Sequence, residues 1–352
     1  MLVAGGSDDV RMIQTVCGPI EPEKLGVTLG HEHLLIDLRG LWNEPATDER
    51  RALAQTPVTV QSRATWVQNP YESRDNLLID DEDAAAEELR AFGQAGGRSV
   101  IDMTVDGLDP KPEALRRISQ RSAVQIVMGT GVYRAFAHPP WVAGMTVDEL
   151  AARFVGAILV GINGTSVRAG LLGELGTSSP ILPDEIKVLR AAARAHFKTG
   201  VSINVHPAIF HREGPRILDI LQAEGVDLRR VALSHMDEQL DYDYHCSLAV
   251  RGAWLSFDTL GSEEVFGPDS KEPTDDQRLD GLLRLLEAGW SAQILLSQDV
   301  CTKLQLTRFG GKGYAHVLEV IVPRLRAAGV DQPTITGLLV DNPRRFLTGR
   351  DP

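Results

Sequence analysis

His31 and His33 lie two residues apart in the run LGHEHLLIDL. On an extended strand that spacing puts both imidazoles on one face while Glu32 points the other way. Two imidazoles so placed can clamp one divalent metal of the zinc type. Taken alone, an HxH pair would equally be two partly buried histidines. Four further ionisable residues each follow an apolar run. Glu174 sits in GLLGELGTSS among glycines and leucines, where an unpaired charge would be costly to bury; a partner for the next helix would also explain it. His206 follows VSINV and His235 follows VALS, and either by itself reads as a core histidine. Asp299 closes ILLSQDV, where an aspartate can bind metal and take a proton from bound water, or else make a local turn. The six together exceed the four ligands that one zinc usually takes. They suit two ions ~3.5–4 Å apart, bridged by a carboxylate and a hydroxide, an arrangement that activates water and stabilises attacking and leaving oxygens.

Such a site needs elements that bring distant segments to one place. Short apolar runs alternate with longer amphipathic ones along the chain. Strands are expected at 27–36, 99–103, 124–128, 169–175, 201–205, 231–233, 253–257 and 292–296. Helices are expected at 80–92, 112–122, 147–159, 183–197, 214–223, 242–250, 275–288 and 314–328. Unbroken apolar strands such as 294–296 are those of a sheet buried on both faces. Eight strand–helix units fit a closed (β/α)8 TIM barrel better than an open sheet. Most of the candidate residues then fall at the carboxyl ends of strands, where barrels keep their chemistry. Residues 39–78 fit no unit and read as a long loop after the first strand. The expected organisation is one domain over residues 1–352, with no internal repeat.

Composition narrows the class. The 352 residues are 43% hydrophobic, enough for a large core, and the formal net charge is −12 with Lys and Arg scattered. That balance argues against nucleic acid and against an anionic membrane surface. No apolar run approaches the roughly 20 residues of a membrane span, and residues 1–10 do not resemble an export signal. Cys17, Cys246 and Cys301 show no CxxC spacing, so a reduced, cytoplasmic location is expected.

The chain resembles the phosphotriesterase-like branch of the amidohydrolase superfamily almost end to end. The likeness runs from GPIEPEKLGVTLGHEHL through GTGVY, GLLGELGTS, LSFDTLG, LLSQDV and FGGKGYAHV to LLVDNPRRFL. It implies that His31, His33 and Asp299 hold the more buried metal and that His206 and His235 hold the more exposed one. It also implies that Tyr133 faces the bridging hydroxide, although a barrel-rim aromatic would fit there too. The best-known phosphotriesterases and lactonases bridge their metals with a carboxylated lysine. No lysine occurs here between Lys111 and Lys187, and Glu174 takes the place, as in the family's phosphotriesterase-related proteins. The shorter bridge would alter the metal spacing and counts against efficient phosphotriester hydrolysis.

The expected function is therefore hydrolysis of a small ester-like substrate, a lactone or carboxylic ester before a phosphoester, by the bridging hydroxide. Asp299 would take the proton and return it to the leaving oxygen, with His235 or Asp237 passing it outward. Zinc is the first choice of ion, with manganese and cobalt compatible. Relatives suggest a homodimer. A mononuclear deaminase-type barrel would not need Glu174, and a non-catalytic ligand-binding barrel would not need the ligand set at all. The run GGKGY lacks the spacing and hydroxyl of a phosphate-binding loop.

Overall fold

The computed structural model describes residues 11–267 and 270–349; the reading of residues 1–10 falls outside them. Eight parallel strands form the central sheet: β1 (Thr28–Glu32), β2 (Ser99–Asp102), β3 (Gln125–Thr130), β4 (Leu171–Gly176), β5 (Ile203–His206), β6 (Val231–Leu233), β7 (Trp254–Phe257) and β8 (Ile294–Leu296). Each pairs in parallel with its successor, from β1 with β2 to β7 with β8, with register shifts between Leu29 and Glu32 and between Leu172 and Leu175. The circuit nearly closes at β8 and β1. There the His31 carbonyl accepts the Asp299 N–H at 3.2 Å, and the His31 N–H donates to Ser297 Oγ at 2.9 Å. This is the (β/α)8 barrel expected from the apolar runs. Strand positions are buried almost throughout, so the strands carry little polar alternation.

Helices α1 (Glu82–Gln94), α2 (Pro112–Ser122), α3 (Val147–Leu159), α4 (Pro183–Thr199), α5 (Gly214–Ala223), α6 (Tyr242–Ala249) and α7 (Asp275–Glu287) return the chain between strands. Their starts carry local signals. Asp81 accepts the N–H groups of Asp83 and Ala84, and Thr146 forms a capping box with Glu149. Gly200, at φ +69°, closes α4.

Three stretches differ from expectation. The first strand stops at Glu32 rather than running to residue 36. The Leu34 N–H turns to the Asp102 carboxylate at 3.0 Å, and Ile36–Asp37 leaves to pair antiparallel with Leu78–Ile79. That pairing closes residues 39–78 at their base. The segment holds helices Asp48–Leu53 and Arg63–Trp66, with a small core of Ala54, Val58 and Trp66 against Leu304. The helix expected at 314–328 opens as a wide turn at Val317–Ile321 and tightens into α8 (Val322–Ala327). Pro323 has no amide hydrogen for the fourth carbonyl before it, which favours the wider turn. Finally α9 (Gln332–Thr336), a second wide turn and α10 (Asn342–Thr348) follow. Phe346 and Leu347 of α10 join Ile101, Val127, Leu171, Ala232 and Leu295 in a core of their own, plugging the barrel at the end away from the candidate site. No helix among the described residues is long and apolar enough to cross a membrane.

Candidate active site

The strand ends bring all six candidate residues together. His31 lies on β1 and His33 just beyond it, with ring centroids 5.4 Å apart. Glu174, on β4, sits between two groups of imidazoles. Its Oε1 is 3.4 Å from His33 Nε2, and its Oε2 is 3.5 Å from His31 Nε2 and 3.0 Å from His206 Nδ1. His235 Nε2 approaches His206 Nδ1 at 2.6 Å. Asp299 Oδ1 lies 3.2 Å from His33 Nε2 and 3.6 Å from His31 Nε2. His31, His33, Glu174, His206 and His235 are all buried. Three overlapping triads have donor atoms within 4.8 Å of one another: His31, His33 and Glu174; Glu174, His206 and His235; His31, His235 and Asp299.

The local backbone serves this convergence. Gly173, before Glu174, has φ +135°, and a Cβ there would lie 2.5 Å from the Asn204 carbonyl oxygen; only glycine lets β4 pass β5 so closely. His235 and Asp299 themselves have positive φ, +59° and +47°. Side chains seldom adopt that region, and such positions cluster at functional sites.

Within the cluster the imidazoles and carboxylates shift one another's proton affinities. Burial would lower the proton affinity of His33, yet Asp299 and Glu174 outweigh it and hold its pKa well above the ordinary value. His235 is opposed by burial but raised to about 10, chiefly by Asp258. His206 falls to about 4 through burial and the neighbouring His235. Glu174, despite burial, is held well below the usual carboxylate range by His206 and His31. His31 Nε2 and Asp299 Oδ1 are buried and have no hydrogen-bond partner. Buried polar atoms are seldom left so, and these two belong to one of the triads. Imidazole nitrogen and carboxylate oxygen in this number suit divalent zinc, manganese or cobalt.

A second set of residues aims the first, and sequence spacing does not reveal it. Asp258, at the end of β7, is fully buried and joins two imidazoles. Its Oδ2 is 3.0 Å from His31 Nδ1, and its Oδ1 is 3.0 Å from His235 Nδ1 and accepts the His235 N–H at 2.7 Å. Thr104 Oγ1 lies 2.9 Å from His33 Nδ1. These contacts fix which nitrogen of each ring faces the centre. Glu32, on the opposite face from its neighbours, accepts from Ser297 Oγ and from the N–H groups of Gln298 and Val300 at 2.7–2.9 Å, so it holds the backbone on both sides of Asp299. Asp237, expected as an outward proton carrier, does not reach the cavity. It is fully buried, accepts the N–H groups of Asp258 and Thr259, and lies 3.3 Å from Arg278 Nε. It braces Asp258 instead.

The cavity above the cluster has a volume of about 200 Å³. Tyr133 lines it, with its hydroxyl 3.4 Å from His206 Nε2. Ile36, Leu38, Leu41, Leu108 and Ile209 form an apolar wall; Arg134, Glu238, Glu264 and Glu272 are its charged groups away from the six.

Residues 11–347 match the Phosphotriesterase family. The chain belongs to that family. Among its relatives of known structure is a resiniferatoxin-binding protein from Rhodobacter sphaeroides, 42% identical over 96% of both chains, with a TM-score of 0.93. A phosphotriesterase homology protein from Escherichia coli, complexed with phosphate in its active site, is 31% identical over 92% of this chain and 99% of that one, with a TM-score of 0.78. An N-acetyltaurine hydrolase of Danio rerio is 34% identical over 96% of this chain and 97% of its own. This member of the phosphotriesterase family is a metal-dependent hydrolase.

Proposed function

We propose that the chain is a two-metal hydrolase of a small carboxylic acyl compound, an amide or an ester. The observation that carries this is Glu174, whose two oxygens face His33 on one side and His206 on the other. His31, His33 and Asp299 would hold one ion, His206 and His235 the other, with Glu174 shared. The ions, when bound, supply a water acidic enough to attack at neutral pH and a positive pole for the acyl oxygen.

The chain's own groups do the rest. Asp299, with Oδ1 unpartnered, takes the proton released on attack and returns it to the departing nitrogen or oxygen. An amide needs that return most, since an amine leaves poorly as its anion. Asp258 keeps His31 and His235 in the tautomers that present their other nitrogens. The apolar wall seats the acyl side and excludes water. Amide cleavage is supported by relatives such as the N-acetyltaurine hydrolases of Danio rerio and Homo sapiens, each 34% identical to this chain.

Elemental analysis of protein supplied with zinc tests the reading. Wild type should hold about two ions per chain and Glu174→Ala distinctly fewer. Saturation at a single ion, unchanged by Glu174→Ala, would sink the two-metal reading and favour the mononuclear barrel. A panel of N-acyl amides, esters, lactones and phosphoesters on the loaded enzyme tests the bond cleaved.

A further inference from the structure

Arg134 follows Tyr133 on the loop after β3 and lines the cavity. The backbone that carries it is pinned on both sides. The Tyr133 N–H donates to the Asp106 carbonyl at 3.0 Å, the Tyr133 carbonyl accepts from His138 Nε2 at 2.9 Å, and the Ala135 N–H donates to Glu185 at 3.0 Å. Gly176 of β4 leaves the room this needs: a Cβ there would lie 2.2 Å from the Arg134 nitrogen and 2.7 Å from its Cγ. The base of the side chain is therefore fixed in place.

Its head has no protein partner. Among the described residues the Arg134 guanidinium makes no ion pair and no hydrogen bond, and its Nε is buried and unpartnered. Its one aromatic neighbour is the Phe136 ring, 5.5 Å away. Arg134 is also the single Lys or Arg among the described cavity-lining residues. The cavity's carboxylates are engaged elsewhere. Glu238 and Glu272 face Arg278, and Glu264 is bonded to Thr302. The buried Nε–H without an acceptor is costly unless a ligand supplies one, and the part-exposed side chain lines the cavity where a ligand would sit. A guanidinium fork fits a carboxylate or sulfonate in two-point fashion.

We infer that Arg134 is the binding site for an oxyanion carried by the substrate, so that the substrate class is anionic acyl compounds rather than neutral esters or lactones. The position beside Tyr133 and His206 puts that anion a short chain away from the scissile bond. This assignment of substrate class rests on the hydrolase reading above; the anion site itself does not.

Four acetamides of similar size test it on the zinc-loaded enzyme: N-acetyl-β-alanine, N-acetyltaurine, neutral N-propylacetamide and cationic N-acetylethylenediamine. Wild type should favour the two anions by kcat/KM, and the better of them tells carboxylate from sulfonate. Arg134→Gln should shrink the anion-to-neutral ratio ten- to a hundredfold, mostly through KM, and Arg134→Glu should turn the preference towards the cation. A merely structural arginine would not reverse the charge preference. Wild type showing no anion preference, or either variant keeping it, overturns the inference. If wild type cleaves none of the four, the hydrolase reading fails on this bond, and calorimetry decides the anion site. Wild type should then bind N-acetyltaurine or N-acetyl-β-alanine more tightly than N-propylacetamide, and Arg134→Gln should not; equal binding by wild type and variant overturns it.

Discussion

In the proposed function Asp299 serves chemistry rather than folding. Its backbone is held at φ +47° because Glu32 takes the N–H groups on both sides of it, and its Oδ1 faces His31 and His33. Asparagine keeps the shape, tolerates positive φ and still offers an acceptor, but it cannot take a proton at neutral pH. Asp299→Asn should therefore lose about a hundredfold or more in kcat on whichever acyl substrate the wild type cleaves. Its unfolding free energy should stay within about 2 kcal/mol of wild type. Near-normal turnover in a folded, metal-containing variant would remove Asp299 from the mechanism. Glu174, His206, His235 and Asp299 are legible in the sequence because each follows an apolar run, and the ends of such runs meet at one rim of a barrel. His31 and His33 are legible instead from their two-residue spacing at the end of a strand. Asp258 ends its run in the same way, yet spacing cannot tell a carboxylate that faces the centre of the cluster from one that faces the back of an imidazole. Glu32 is hidden for a related reason: alternation says that it points away from the histidines, not that it reaches β8.

At the scale of elements, the strands were readable because burial on both faces leaves short unbroken apolar runs, and the helices α1 to α7 because their starts carry caps or proline. Residues 39–78 and 329–349 were not. The first is folded by long-range contacts, Ile36–Asp37 with Leu78–Ile79 and Trp66 with Leu304, that no local period announces. The second is broken by Pro333 and Pro343 into pieces too short to show a helical stripe. Yet α10 is structurally costly to disturb. Phe346 is buried among inward-facing strand residues and stacks edge-on near Trp254, ring centroids 5.9 Å apart. Its backbone carbonyl accepts the Ser202 hydroxyl. Phe346→Ala should cost about 3–5 kcal/mol, as other buried aromatic truncations do, seen as a lower denaturant midpoint. A loss under 1 kcal/mol would show that α10 is not part of the barrel's core.

Over the whole molecule the net charge of −12 is not spread only on the surface; several carboxylates are buried near the active-site end of the barrel. Burial lifts Glu264 to about 8, with Glu272 adding to the rise and the Thr302 and Tyr71 hydroxyls pulling against it. Burial also lifts Glu32 to about 7 against three hydrogen bonds from the β8 segment. The sign follows from linkage. An unfolded glutamate gives up its proton near pH 4.5, whereas these two keep theirs when folded. Between those limits the native state binds more protons than the unfolded chain, so stability falls as pH rises. The loss from Glu32 is complete near its folded pKa of about 7, and that from Glu264 continues to about 8. Metal-free protein should therefore unfold at lower urea at pH 8 than at pH 6. Glu264→Gln mimics the protonated acid and keeps an acceptor for Thr302, so it should flatten that slope and stabilise the protein at pH 8 more than at pH 6. Urea titrations of wild type and variant at both pH values measure this directly. A variant with the same slope as wild type would mean that Glu264 is already ionised in the native protein at pH 6, with its charge met by the Tyr71 and Thr302 hydroxyls.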